Sequence, residues 1–198
     1  MVHVRLKELE EYAIKYNIPI MQKDGIEFLT KYIKENNIKN ILEIGSAIGY
    51  SAIKMALVRD DINVTTIERD KDRYDIAVQN INNFNLSNRI NIINADALQP
   101  LEIELTDKYD LIFIDAAKSQ YIKFFEKFDK NLNIGGVVVS DNLSFHGLVE
   151  DDSKTNNRNT KQLVRKIRKY IDYLKENTNY KTTFYELGDG VAVSIKIK

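Results

Sequence analysis

The sequence predicts an α/β fold in which a mostly parallel sheet carries helices on both faces. Short apolar runs such as "NILEI" and "LIFI" alternate with longer segments whose apolar residues recur at helical spacing, and the alternation repeats along most of the chain. At the C-terminus, two strand-like segments flank a Gly-Asp-Gly turn. Alternating strands and helices predict a parallel sheet, and the closing hairpin adds an antiparallel strand at one end of it.

Two amphipathic segments precede the first strand. Apolar residues recur at helical spacing in residues 6–17 and again in residues 25–36, so both segments are predicted to be helices. The apolar run "NILEIG" then has the composition of a buried parallel strand. We expect one domain over residues 1–198, in which residues 1–38 form a helical cap on a core of residues 39–198.

The later elements follow from the same two periodicities, with helices and strands in alternation. The predicted helices are residues 51–59, 70–85, 118–132 and 159–177. The predicted strands are residues 63–69, 90–95, 109–116 and 135–142, followed by the hairpin strands 181–187 and 191–198. In a sheet of this kind the ligand lies beyond the carboxyl ends of the strands, so the strand ends are where functional residues are expected.

Composition sets broad limits on the class of protein. The chain has 198 residues, 43% of them hydrophobic, which is enough for one sizeable core. It contains no cysteine, so disulfides and thiolate metal sites are excluded, and a reducing, cytoplasmic location is expected. The charged, amphipathic N-terminus lacks the apolar segment of a signal peptide, and no apolar run has the length of a membrane span. We therefore expect no membrane association.

The formal net charge of zero conceals a local asymmetry. Residues 154–169 contain seven basic residues and no acid, so the remainder of the chain carries a net charge of −7. This basic stripe is either a surface for a polyanion such as RNA or an ordinary solvated helix face. Its members are Lys154, Arg158, Lys161, Arg165, Lys166, Arg168 and Lys169.

A glycine-containing loop follows the first predicted strand. Gly45 and Gly49 have the spacing G-x-x-x-G, which matches neither a dinucleotide fingerprint nor a phosphate-binding loop. The pattern indicates a nucleoside ligand without a pyrophosphate, although a plain tight turn also explains it. Glu43 lies within the otherwise apolar strand, where a carboxylate is costly unless a donor meets it.

Acidic residues also end the second and third predicted strands. Glu68 lies about 20 residues after the glycine loop, where an acid commonly binds ribose hydroxyls. The alternative is an acid favoured by the dipole at a helix N-terminus. Asp96 follows the third strand and could contact an adenine or simply cap the following turn.

Three oxygen donors end the fourth and fifth predicted strands. Asp115 closes "LIFID", while Asp141 and Asn142 close "GGVVVSDN". If these strands are adjacent and parallel, two carboxylates and one amide meet at one edge of the sheet. Such an oxygen-only set suits a hard cation such as Mg²⁺, which would also relieve the repulsion between the carboxylates. The alternative is three separate helix or turn caps.

Lys118 follows Asp115 by three residues, in a loop or the first turn of a helix. A neighbouring divalent cation disfavours the ammonium form of a lysine, so Lys118 could act as a general base. The alternative is a lysine that faces solvent, which is the usual situation.

Several of these motifs together resemble a known family. "ILEIGSAIGYSAI", "IERD", "FIDAAKSQY", "SDN" and "GDGVAVS" are similar to motifs of class I S-adenosylmethionine-dependent O-methyltransferases, in the cation-dependent branch that includes catechol and caffeoyl-CoA O-methyltransferases. The resemblance covers almost the whole chain. It implies a Rossmann-like class I methyltransferase fold whose sheet has seven strands, with S-adenosylmethionine and Mg²⁺ (or Mn²⁺) as cofactors.

Within that branch, "DAAKSQYIKFFE" and "DNLSFHGLV" most resemble the bacterial tRNA 5-hydroxyuridine methyltransferases. This narrower resemblance implies that the wobble uridine of a tRNA anticodon loop is methylated to 5-methoxyuridine. It also implies a homodimer. The basic stripe favours RNA, but the metal motif serves a small catechol or phenol equally well, so small-molecule O-methylation remains the alternative.

The resemblance also assigns roles to individual residues. Lys118 would be the base, and Asp115 would act with it in catalysis. The metal ligands would be Asp115, Asp141 and Asn142. The residues at the S-adenosylmethionine site would be Met21, Glu43, Gly45, Tyr50, Ser51, Glu68, Asp96, Ala97 and Asp115.

Overall fold

The computed structural model describes residues 2–100, 105 and 108–198, in which seven strands form one sheet. The strands are β1 (Asn40–Ile44), β2 (Asn63–Glu68), β3 (Ile90–Asn94), β4 (Tyr109–Ile114), β5 (Leu132–Ser140), β6 (Tyr180–Tyr185) and β7 (Val191–Lys196). Their order across the sheet is β3-β2-β1-β4-β5-β7-β6. Neighbours from β3 to β5 are parallel, and β7 is antiparallel to both β5 and β6. The predicted α/β fold is confirmed.

The antiparallel strand lies inside the sheet rather than at its end. Because β7 is antiparallel to β5 and to β6, β6 runs parallel to β5 and forms the edge. The connection from β5 to β6 leaves a space one strand wide between these two strands. The chain then reverses direction, and β7 pairs with both of them in that space. The turn between β6 and β7 therefore lies at the same edge of the sheet as the carboxyl end of β5.

Six α-helices accompany the strands in the described residues. They are α1 (Val2–Lys15), α2 (Lys23–Glu35), α3 (Tyr50–Ala56), α4 (Lys71–Asn83), α5 (Tyr121–Phe128) and α6 (Arg158–Glu176). None of these helices is long and apolar enough to cross a lipid bilayer.

Several predicted boundaries are wrong; α1, for example, begins at Val2 and not at residue 6. The helix predicted over residues 118–132 consists of α5 flanked by two 3₁₀ turns, Lys118–Gln120 and Asp129–Asn131. The fifth strand begins at Leu132, three residues before the predicted start, because Gly135 at φ 80° accommodates a shift in the pairing of β5 with β4. The predicted strand began at this pair of glycines, whereas the observed strand runs through them from Leu132.

The core has two halves, one on each face of the sheet. In β1, Ile41 packs with the cluster that contains Leu29 of α2, while the next residue, Leu42, packs with the cluster that contains Phe125 of α5 and Tyr170 of α6. Alternate residues of a strand point to opposite faces, so a strand covered on both sides is apolar throughout. The helices on both faces are as predicted, while the division into a cap of residues 1–38 and a core of residues 39–198 stays a prediction.

Helix α6 is fixed to the carboxyl end of β5 by a buried hydrogen bond. The hydroxyls of Tyr170 and Ser140 are 2.6 Å apart, and the Tyr170 ring meets Tyr121 edge-on at 5.3 Å between centroids. Because α6 connects the parallel strands β5 and β6, its N-terminus lies at the edge where β5 ends. The basic start of α6 is therefore at the carboxyl edge of the sheet.

Replacing Leu29 by alanine should destabilise the fold by about 2–5 kcal/mol, because the Leu29 side chain is fully buried between α2 and the sheet. Thr30→Ala is the matched control on the same helix. The Thr30 hydroxyl bonds only to backbone carbonyls of its own helix, so this change should stay within about 0.5 kcal/mol. Urea unfolding of both variants measures the difference, and equal stabilities would show that α2 does not close this side of the core.

Candidate active site

A cavity of about 340 Å³ lies at the carboxyl edge of the strands. This volume is at the lower end of the range for small-molecule sites. Ten predicted site residues line it: Met21, Gly45, Tyr50, Ser51, Glu68, Asp96, Ala97, Asp115, Lys118 and Asn142. Among the lining residues, sequence reasoning missed Arg69 and Arg73, although two basic residues so close behind Glu68 were a visible signal. The structure thus brings together residues that are far apart in the chain.

Gly45 brings the ends of β1 and β4 into direct contact. Its φ is 94°, and a Cβ at this position would be 2.4 Å from the backbone oxygen of Asp115. A side chain here would meet rigid backbone, so only glycine fits. The glycine loop is therefore a close approach of two strand ends and not merely a turn.

Glu68 presents an oriented carboxylate to the cavity. Its Oε2 accepts the Ala47 N–H at 2.8 Å, and its Oε1 accepts the Asp70 N–H at 2.9 Å. Asp70, whose side chain accepts the Arg73 N–H, is the residue that caps α4. Glu68 is thus not the N-cap of α4, and its remaining lone pairs are available to ligand hydroxyls, while its role at a ribose stays a prediction.

Asp96 combines features of both interpretations offered by the sequence. Its Oδ1 accepts the Leu98 N–H at 2.9 Å, which is the local bond of a turn-capping aspartate. The residue also lines the cavity together with Ala97. A contact between Asp96 and an adenine stays a prediction.

Glu43 lies behind the cavity wall and is not among the residues that line it. Its carboxylate is completely buried and accepts hydrogen bonds from the Ser51 and Thr66 hydroxyls. Burial raises the pKa of Glu43 to about 7, and the two hydroxyl bonds offset part of that rise. Glu43 thus reaches the cavity through Ser51, which does line it.

Tyr50 connects the glycine loop to the N-terminal helix. Its ring lines the cavity, and its hydroxyl donates to Glu10 Oε1 of α1 at 2.7 Å. Burial, followed by this bond to Glu10, raises the pKa of Tyr50 above its ordinary value. The hydroxyl is therefore a neutral donor that fixes α1 beside the cavity.

The predicted metal ligands form one cluster. Asp115 and Asp141 follow the adjacent strands β4 and β5, and the Nδ2 of Asn142 donates to Asp115 Oδ1 and to Asp141 Oδ2, both at 3.1 Å. Burial raises the pKa of both aspartates, and repulsion from Asp115 adds to the rise at Asp141, whose pKa reaches about 7. Two acids in such surroundings are stabilised as carboxylates by positive charge.

This cluster fits a hard divalent cation. It offers carboxylate and amide oxygens only, which are the ligands that Mg²⁺ and Mn²⁺ prefer. The amide of Asn142 already bridges the two carboxylates through its N–H group, and rotation of the same amide would turn its oxygen towards a cation. No group of three or more Asp, Glu, His or Cys side chains suited to a metal occurs in the described part of the chain.

Lys118 lies in the 3₁₀ turn before α5, on the wall of the cavity. Although burial raises the pKa of Asp115 and Asp141, the charge of Lys118 acts in the opposite direction on both. Its Nζ lies 5.6 Å from the centre of the Phe145 ring, a cation–π distance. The lysine is thus held between the carboxylate pair and an aromatic face.

The basic stripe divides into one structural residue and a set of surface residues. Arg168 donates to the Val149 carbonyl at 2.9 Å and pairs with Asp152 at 3.2 Å, so it fixes the loop before α6. Lys161 is half-buried. The residues exposed to solvent are Lys154, Arg158, Arg165, Lys166 and Lys169. Within the described residues, no carboxylate lies within ion-pair distance of these five, so they remain available to an anionic ligand.

Comparison with known proteins identifies the family. Residues 2–197 match the family model described as O-methyltransferase. A caffeoyl-CoA O-methyltransferase of Populus kitakamiensis is 31% identical, over 96% of this chain and 86% of the relative. The chain belongs to the O-methyltransferase family. The match confirms the predicted resemblance and, with it, an S-adenosylmethionine-dependent O-methyltransferase of the caffeoyl-CoA type.

Solved structures agree with this assignment. A Staphylococcus aureus structure, provisionally assigned as a caffeoyl-CoA O-methyltransferase, is 41% identical with a TM-score of 0.92, over 96% of this chain and 91% of that one. An O-methyltransferase from Bacillus cereus, solved in complex with S-adenosylhomocysteine (SAH), is 28% identical with a TM-score of 0.82, over 98% of this chain and 91% of that one. The predicted Rossmann-like methyltransferase fold is therefore confirmed, while the roles assigned to single residues stay predictions.

Glu43→Gln should make the stability of this O-methyltransferase less dependent on pH. The pKa of Glu43 is about 7 in the fold against 4.5 ordinarily, so the native state binds more protons between these values and stability falls as pH rises. A pKa shift of this size corresponds to about 3 kcal/mol of unfolding free energy, which the unmodified protein loses as the pH rises through this range. The glutamine variant has no group that ionises here, so it should keep this stability at about pH 8.

Urea unfolding at about pH 5 and pH 8 measures the effect. Glu11→Gln on the exposed face of α1 is the control and should follow the unmodified protein. If Glu43→Gln also follows it, Glu43 does not titrate in this range and the explanation is wrong.

Proposed function

We propose that the enzyme is cation-dependent and methylates one of two neighbouring oxygens of its acceptor. The observation that supports this most strongly is the pair of carboxylates, half-buried Asp115 and buried Asp141, joined by Asn142 beside Lys118. These three residues would hold Mg²⁺ or Mn²⁺, which when bound would lower the pKa of the acceptor hydroxyl and orient it.

The residues of the chain then perform binding and proton transfer. S-adenosylmethionine supplies the methyl group in an in-line displacement, so acceptor and cofactor must be aligned. Glu68, oriented by two backbone N–H groups, binds the ribose hydroxyls of the cofactor. As a neutral amine, Lys118 would take the proton from the acceptor hydroxyl and become an ammonium ion, whose position the Phe145 ring limits.

We further propose that the acceptor is 5-hydroxyuridine at the wobble position of tRNA. This base offers a hydroxyl oxygen at C5 and a carbonyl oxygen at C4, which match a site built to bind two neighbouring oxygens. The exposed part of the basic stripe supports the proposal, since it begins at the sheet edge that carries the carboxylates and can contact backbone phosphates.

A small catechol or phenol is the second candidate acceptor. A catechol has two vicinal oxygens of nearly the same spacing, and the Populus relative is named for a caffeoyl-CoA substrate. Such an acceptor does not require basic residues outside the cavity. Methylation of either candidate would require the metal ligands, but only methylation of tRNA would require the basic stripe.

Methyl transfer from labelled S-adenosylmethionine should be strong with tRNA bearing 5-hydroxyuridine, should stop on chelation with EDTA, and should fall on the order of 100-fold in Asp141→Ala. Asp75→Ala removes an exposed carboxylate of α4 and is the matched control. A parallel assay offers a free catechol. Transfer that survives EDTA and Asp141→Ala would overturn the cation requirement, and labelling of the catechol alone would overturn the tRNA acceptor.

Replacing Arg158, Arg165 and Lys166 together by alanine should raise the KM for tRNA on the order of 10-fold and reduce its salt dependence, because phosphate contacts release counterions. The control variant has alanine in place of Lys7, Lys31 and Lys34, which are exposed on other helices. It changes the net charge by the same amount and should leave the tRNA kinetics unaltered. Turnover of tRNA at several salt concentrations is the measurement. Equal kinetics for the two triple variants would show that the stripe is only a solvated helix face.

A further inference from the structure

The turn between β6 and β7 is bonded to the loop that leaves β5. Within this hairpin turn, the Gly190 carbonyl accepts the Leu143 N–H at 3.0 Å and the Asp189 carbonyl accepts the Ser144 N–H at 2.7 Å. The Asp189 carboxylate also accepts the backbone N–H of His146. Three N–H groups of the segment 142–147, here called the site loop, are thus held by two residues of the turn.

The site loop is conformationally strained. Asn142, Phe145 and His146 have φ values of 64°, 48° and 58°, in the left-handed region that most side chains avoid. Such a conformation is unfavourable for a residue with a side chain and persists only where the surroundings hold it. The bonds from the hairpin turn are spaced along this strained stretch, so they are the contacts that can hold it.

Asp189 is unusual for a residue of a hairpin turn because it is only 4% exposed. Its Oδ2 lies 3.5 Å from His146 Nδ1, and its other oxygen takes the His146 N–H. A Gly-Asp-Gly turn does not itself need a buried carboxylate, which is costly to desolvate. The two segments are also in close contact, since a Cβ on Gly190 would be 2.7 Å from the Ser144 nitrogen.

The site loop carries two groups of the proposed machinery. It begins at Asn142, whose amide bridges Asp115 and Asp141, and it contains Phe145, whose ring faces the Lys118 ammonium. Any shift of the loop displaces both groups together. The cofactor side of the cavity, built on β1 and β2, has no bond to the hairpin turn among those described.

We propose that Asp189 is a positioning residue for methyl transfer. By accepting the His146 N–H it holds the site loop in its strained conformation and so places Asn142 against the carboxylate pair and Phe145 against Lys118. This inference rests on the proposed function, because it assumes that Asn142 and Lys118 act in catalysis as proposed there. It extends that function by coupling the C-terminal hairpin to the metal-binding edge.

Asp189→Ala should lower kcat about 10- to 100-fold, since a displacement of about 1 Å in an active site has effects of this size. It should raise the Mg²⁺ concentration for half-maximal rate and leave the Kd of S-adenosylmethionine, measured by calorimetry, within about twofold of that of the unmodified enzyme. Asp189→Asn keeps an oxygen that can accept the His146 N–H, so it should restore most of the rate.

Two changes at His146 separate the backbone bond from the contact between the imidazole and the Asp189 carboxylate. His146→Ala removes the imidazole but keeps the N–H, and should leave kcat unchanged. His146→Gly in the Asp189→Ala background should recover part of the lost rate, because glycine adopts a φ near 58° without strain. The proposal is overturned if His146→Ala loses as much rate as Asp189→Ala, or if Asp189→Ala lowers cofactor affinity in parallel with kcat.

Failure of the proposed function has a different signature. If the unmodified enzyme transfers methyl groups equally well with Mg²⁺ and with EDTA, the cation-dependent mechanism fails. Even in that case, the positioning role is tested by comparing the loss of kcat in Asp189→Ala with any loss of its affinity for S-adenosylmethionine. An unchanged kcat in Asp189→Ala overturns the positioning role alone.

Discussion

The meeting of two like charges at the ends of adjacent strands is the constraint on which the site depends. The pairing of β4 with β5 places Ile114 beside Ser140, so the residues that follow, Asp115 and Asp141, emerge next to each other. Burial raises the pKa of both, and repulsion from Asp115 adds to the rise at Asp141. The Asn142 amide and the Lys118 ammonium are the groups nearby that reduce this cost, and a divalent cation would reduce it further.

That constraint extends into the loop and the C-terminal hairpin. To bridge the two carboxylates, Asn142 adopts a left-handed backbone, and the loop after it contains two further strained residues. The antiparallel insertion of β7 places the Gly-Asp-Gly turn at this same edge, where it bonds to the loop. The reversal of the last strand, which distinguishes the sheet from a purely parallel one, therefore has a role in building the site.

Sequence patterns predicted the fold and the polar residues at the strand ends because both follow from local rules, whereas Met21, Tyr50, Ser51 and Ala97 on the cavity wall were expected only from the family resemblance. Strand periodicity and the position of polar residues at strand ends are enough to locate Asp115, Asp141 and Asn142. They are not enough to show that Glu43 lies behind Ser51, that Arg168 holds a loop, or that Asp189 reaches His146. Those facts depend on contacts between residues distant in the chain, for which the sequence contains no local periodic signal.

The neutral net charge does not argue against the proposed tRNA acceptor. Electrostatic interactions at a protein surface decay over about 8–10 Å at physiological salt, so an approaching polyanion responds to local charge rather than to the total. The exposed basic residues lie between Lys154 and Lys169, whereas the chain outside residues 154–169 carries a net charge of −7. Local positive charge of this kind favours approach of a nucleic acid from the side on which α6 begins, at the edge that holds Asp115, Asp141 and Lys118.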